Sequence, residues 1–341
     1  EGLWNTAIGQ ESLRANTEGN NNVAVGFKAL DDNTTADSNV AVGANALCQN
    51  TTGAENVAIG EKTLRVNTTG LRNVAVGYLA LTSNTEAAGN IAIGESALEN
   101  NSTGASNTAV GRKSLINNTT ASNNTAFGFC TLTQQTTNGT HNTAVGANAL
   151  RLNTTGTHNV AVGFAALDGN TEAVGNVAIG HAALNATTTG AANTAVGRQS
   201  MDANTTGACN TAVGNNSLGA NTTGCQNIAI GTEAMKFGTT GDFNTAVGVL
   251  TLGGSDVSTG NDNTAIGRKS MFDNTSGTNN TAVGNNSLGN NTTGASNVAV
   301  GNSAMFDNTS GNNNVGVGCD ALGNNTTASN NTAVGCGALH K

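Results

Sequence analysis

Hydrophobic and polar positions along the chain recur every 17 residues. Asn, then Thr, Val or Ile, then Ala, then Val or Ile, then Gly opens each unit from Asn5 to Asn331, with one step of 18 after Asn124 and one of 19 after Asn244. Counting that Asn as position zero, position three is a branched aliphatic everywhere except Phe127, and position two is Ala everywhere except Gly316. Period-two alternation with β-branched residues predicts a short strand on which positions one and three share a face. Position eight is Leu or Met throughout, as in Leu13 and Met201, and follows Ala, Ser or Thr. So few residues separate the Gly from the next polar turn that a helix is not sustained, and a second short strand or extended corner is expected there. Asn-Thr-Thr-Gly, as at residues 67–70, then closes the unit as a turn, with Asn bonding its own backbone and Gly supplying the unusual dihedral.

A unit this short and this regular predicts an all-β fold, a parallel β-solenoid (β-roll) of about twenty 17-residue coils, forming one continuous domain over residues 1–341 with the last coil cut short. Coils about 4.8 Å apart would make a stack of roughly 95 Å. The expected core is the aliphatic set Val23, Val25, Leu30, Val40, Val42, Leu47, Val57, Ile59, Leu64, Ile91, Ile93 and Leu98. The expected corners are Gly26, Gly43 and Gly60, through positive φ or close backbone approach, and Asn22, Asn39 and Asn56, whose amides would bond from coil to coil. The nearly fixed alanines Ala24, Ala41, Ala58, Ala75, Ala92 and Ala109 suggest a narrow outer strip against which further copies pack, so a cyclic homo-oligomer is expected.

The Asn-x-Ala-[Val/Ile]-Gly core followed by Ala/Ser-Leu resembles the repeated head segments of trimeric autotransporter adhesins and the Gly/Asn/Thr-rich repeats of bacterial surface and phage tail-fibre-like proteins. The resemblance covers residues 5 to 341. It implies a homotrimer with Val23 and Val25, or Thr6 and Ile8, inside the coil and Ala24 and Ala7 towards the threefold axis. This unit is longer than the usual adhesin head coil, and the coiled-coil stalk and membrane anchor of those adhesins are not seen.

Composition narrows the function classes. Charged residues are 10%, aromatic residues 3%, proline is absent and the net charge is −8, leaving no basic track for nucleic acid. No apolar run is long enough for a membrane helix, so no membrane insertion is expected, and Glu1 opens almost in register with the first coil rather than with a signal peptide. The histidines His141, His158, His181 and His340 lack a metal-ligand constellation, although His141 and His158 hold the same place on successive coils. Paired carboxylates, a nucleophile elbow and a phosphate loop are also missing, so neither an enzyme nor a cofactor is expected. Cys319 with Cys336, and Cys209 with Cys225, fall on adjacent coils and are candidate disulfides, whereas Cys48 and Cys130 have no matching partner. The reading that follows is a structural or adhesive extracellular fibre on a cell surface or virion, partnered by itself and by a cell-surface glycan or protein receptor. A second reading is an ice- or crystal-binding solenoid using the threonine ladders Thr34, Thr51, Thr68 and Thr35, Thr52, Thr69, the second of which Glu18, Glu86 and Glu172 interrupt.

Overall fold

The computed structural model describes residues 2–254 and 258–340. Among them are twenty strands of three residues, one per coil, and no helix. Contacts group the chain into two compact units, Glu1–Ala173 and Val174–Lys341. The first carries β1 (Thr6–Ile8) through β10 (Val160–Val162), and the second carries β11 (Val177–Ile179) through β20 (Thr332–Val334). Within each unit, successive strands pair in parallel and in register. Val23, Ala24 and Val25 oppose Val40, Ala41 and Val42 in the first unit, and Thr281, Ala282 and Val283 oppose Val298, Ala299 and Val300 in the second.

The strands face the opposite way to the sequence expectation. Ala24, Ala41, Ala58, Ala75, Ala92 and Ala109 are completely buried, as are Leu30, Leu47, Leu64 and Leu98. Val23, Val25, Val40, Val42 and Val57 are only half-buried, and Ile59, Ile91 and Ile93 are exposed. The alanines are therefore the coil's interior rather than an interchain strip, and positions one and three are its outer face. Alternation divides a strand into two faces without saying which one is inside. Space decides it here: a 17-residue coil holds one large side chain, the position-eight Leu or Met, and only small ones around it. Gly316 shows how tight this is, since a Cβ at that residue would lie 3.1 Å from Met305 Cγ.

No second strand forms after the Gly; the chain instead turns through positive-φ residues. Gly26 has φ of +134°, and a Cβ on it would sit 2.6 Å from the Gly43 carbonyl oxygen, so positive φ and close approach both require glycine. Lys28 and Leu30 then have φ of 54° and 52°, and Asn21, just before the next strand, has 56°. The alternation points successive amides in opposite directions along the stack: Lys28 N–H donates back to Gln10 O at 3.0 Å and Leu30 N–H donates forward to Ala46 O at 3.0 Å. Branching at Cβ is strongly disfavoured in this region. Position six, position eight and the residue just before the next leading Asn accordingly carry no Val, Ile or Thr in any coil, while position eight alternates only between Leu and Met. In the Asn67 turn, Gly70 is not left-handed; Arg72, two residues on, is, with φ of 58°. That is why Ala stands at 36 and 328 in place of the turn glycine.

Two buried asparagine ladders complete each coil. Asn56 N–H donates to Asn39 Oδ1 at 3.0 Å, while its Nδ2 donates to Gly70 O at 2.9 Å. Asn67 Nδ2 donates to Asn50 Oδ1 at 2.8 Å and to the same Gly70 carbonyl at 2.9 Å. Each bond contributes on the order of 1 kcal/mol, and an orphaned buried partner costs about 1–3 kcal/mol. The position-eleven ladder breaks where Asn is replaced. Asn118 Oδ1, facing the coil of Gln135, and Asn221 Oδ1, facing the coil of Gly238, have no partner. In the 18-residue coil, Gln135 Oε1 accepts from both Asn142 Nδ2 and Asn153 Nδ2 at 3.2 Å, bridging the two ladders.

Candidate functional site

What varies between coils lies on the outside. One outer surface is the ladder of positions one and three, where Ile59 is 41% exposed, Ile91 38% and Ile93 39%. Every strand except the one ending in Phe127 offers two branched side chains there, in register with its neighbours, because the small residue between them points inward. The result is an exposed, mostly aliphatic and threonine-bearing strip on both units.

The corner after the Gly carries most of the aromatic side chains and ions. At position five of the first unit, Phe27, Tyr78 and Phe129 are exposed, with Lys28, Lys62 and Arg112 at 5.7, 5.8 and 5.8 Å from the respective ring centroids. Ion pairs join neighbouring coils at the same corner. Arg14 Nε donates to Asp31 Oδ1 at 2.7 Å and Arg151 Nε to Asp168 Oδ1 at 2.9 Å, and each carboxylate raises the pKa of its guanidinium through that hydrogen bond. Such exposed pairs contribute little to stability.

At position nine of the second unit the chain reads Phe272, Gly289, Phe306, Gly323, His340 on successive coils. A Cβ on Gly289 would lie 2.7 Å from the Phe306 ring, and one on Gly323 2.8 Å from His340 Nδ1. The glycine of one coil is thus what lets the ring of the next lie against the backbone. A cavity of about 210 Å³ opens there, lined by Lys269, Phe272, Asn286, Gly289, Asn290 and Phe306. Sequence reasoning passed over this feature, although its signal was present: two phenylalanines 34 residues apart, twice the period, with a glycine midway.

Of the residues singled out for chemistry, His340 and Cys48 stand at position nine and Cys319 and Cys336 at position five of this corner, whereas His141, His158, Cys209 and Cys225 lie just before the next strand. The His141 and His158 rings stack with centroids 5.0 Å apart and 3° between planes, and each Nδ1 lies 3.1 Å from the hydroxyl of the preceding Thr140 or Thr157. Among the described residues no group of three or more His, Cys, Asp or Glu side chains gathers to hold a metal. The four candidate disulfide cysteines, Cys319, Cys336, Cys209 and Cys225, are free thiols, as are Cys48 and Cys130. Cys319 Sγ donates to Asp320 Oδ2 at 3.5 Å, and that bond, with burial, raises its thiol pKa. Burial, then the Asp31 and Asp32 charges, raises that of Cys48. Both shifts favour the protonated, less nucleophilic form.

The threonine ladders divide by role. Thr34, Thr51 and Thr68 use their hydroxyls between coils, donating to Thr51 O, Thr68 O and Thr85 O at 3.1, 3.0 and 3.1 Å. Thr35, Thr52 and Thr69 are exposed. The described residues contain no helix long and apolar enough to cross a membrane. No protein-family model matches the sequence. No match to a curated protein is found either.

Proposed function

We propose that this chain is a structural and adhesive element of an extracellular fibre, on a cell surface or virion, and that copies of it associate as a homotrimer. The observation that carries the reading is the strip at positions one and three, where half-buried valines and exposed isoleucines recur coil after coil in both units. An exposed apolar surface of this length on an otherwise polar molecule favours association. A repeating surface suits a cyclic assembly in which each copy offers the same face. The contact proposed here is the aliphatic ladder and not the alanines, which are buried inside their own coil. With one binding feature repeated along the fibre and across its copies, weak contacts to a surface glycan or protein receptor add up through avidity.

Solution mass tests it. Light scattering on the purified chain at micromolar concentration is expected to give about three times 33.7 kDa. Replacing Val42, Ile59 and Val76 together by Lys is expected to give single chains with an unchanged β signal by circular dichroism. A wild-type mass of one chain overturns the assembly.

A further inference from the structure

A cavity opens between Phe272 and Phe306 at the position-nine corner. We propose that it binds one pyranose ring of an extended β-1,4-linked glycan running along the stacking direction of the second unit. The proposal rests on the adhesive reading above for its setting and gives that reading a ligand class.

Three observations carry it. The first is the lining: two half-buried aromatic rings, the Asn286 and Asn290 side-chain amides and the Lys269 ammonium. Pyranoses present apolar C–H faces to aromatic rings and hydroxyls at their edge to amides, and this set supplies both. The size agrees, because about 210 Å³ is below the roughly 300–1,000 Å³ of sites for drug-sized ligands and suits a single ring.

The second is polarity. Asn290 Nδ2 donates to Asp307 Oδ1 at 3.1 Å, which leaves its amide oxygen directed elsewhere, and Lys269 Nζ stands 5.0 Å over the Phe272 ring. Asp273 and Asp307 flank the corner at position ten and balance Arg268 and Lys269, so the site carries no net charge and suits a neutral sugar.

The third is period. Ring and glycine alternate along this corner from Phe272 to His340, so the same environment returns every second coil, about 9.6 Å at 4.8 Å per coil. In an extended β-1,4-linked chain each sugar is turned over relative to the last, so every second ring presents the same face. A two-coil protein repeat and a two-sugar glycan repeat are then the same kind of step.

Calorimetric titration with cellohexaose tests the site, with the bent α-linked maltohexaose as comparison. The wild-type chain is expected to bind cellohexaose at least tenfold more tightly than maltohexaose. Phe306→Ala is expected to weaken binding tenfold or more. Asn290→Ala, at a half-exposed position whose loss leaves the coil intact, is expected to weaken it severalfold. No cellohexaose binding by the folded wild type, or unchanged binding in both variants, overturns the proposal. Self-association is read separately by mass: trimers that ignore cellohexaose defeat the site alone, and single chains that bind it defeat the fibre assembly alone.

Discussion

The two units run the same backbone and dress it differently. Residues 2–173 fill position eight with Leu in every coil and tie neighbouring coils together with ion pairs such as Arg14–Asp31, Arg72–Glu55, Arg112–Glu95 and Arg151–Asp168. In the second unit, Met takes position eight at 201, 235, 271 and 305, and the Lys236–Glu233 ion pair lies within one coil. Its corner instead carries the aromatic and glycine alternation. The fold therefore depends on what both units share: inward Ala, positive-φ Gly, left-handed unbranched residues and buried Asn. The outer corner is free to vary: the first unit sets aromatic rings beside cations and ion pairs between coils, and the second alternates rings with glycines at position nine.

The hardest test of that shared frame is to break it at equivalent places. Gly94→Ala in the first unit and Gly284→Ala in the second each put a Cβ into a backbone at 2.7 and 2.3 Å, at φ of +130° and +139°. Both are expected to lose more than about 3 kcal/mol in denaturant unfolding, by similar amounts. If one unit tolerates the change, the frame is not common.

A smaller effect separates shape from volume. Leu98 is buried at φ of 51°. Leu98→Ile keeps the side-chain volume yet branches at Cβ, and is expected to cost about 2–3 kcal/mol. Leu98→Met is expected to cost less than about 1.5 kcal/mol, as the methionines of the second unit suggest. The order of thermal midpoints checks this, and Ile equal to Met would remove the dihedral explanation for the absence of branched residues at position eight of either unit.

The smallest expected effect is a gain. In the first unit Gln135 accepts from the following coil but leaves Asn118 Oδ1 unpaired behind it, and in the second Gly238 offers Asn221 Oδ1 no side-chain donor at all. A Cβ on Gly238 meets nothing closer than 3.4 Å, so Gly238→Asn fits and is expected to restore the donor and add about 1 kcal/mol to stability. Slower amide exchange at Thr222 and Thr239 would report the repair, and faster exchange would count against it.

Much of this architecture was legible in the sequence, but not its inside and outside. The period, the parallel register and the obligatory glycines follow from spacing and from residue types with one conformational use. The faces of Val25 and Ala24 are the reverse of the sequence expectation because an invariant Ala fits a close interchain contact and a cramped coil interior equally well, and the separating cue is position one. Position one accepts Thr as readily as Val, as at Thr108 and Val74, which a solvent-facing site allows. Position two stays Ala because a coil interior admits little else. Leu at eight, never Val or Ile, likewise spelled out a left-handed backbone that period counting took for extended chain. Of the candidate site, Phe272 and Phe306 were visible, but their meaning needed Gly289 placed between the rings. Cys319 and Cys336, and Cys209 and Cys225, fall on adjacent coils by count and are nonetheless free thiols, since adjacency alone does not make a bond.

The Gln135 coil has a consequence for how such a chain finds itself. When every segment resembles the next, a partly formed molecule that skips a whole segment makes nearly the same contacts and gets little warning of the mistake. A segment one residue longer, with an amide that reaches two neighbours at once, fits at a single place and serves as a bookmark against which the rest is counted.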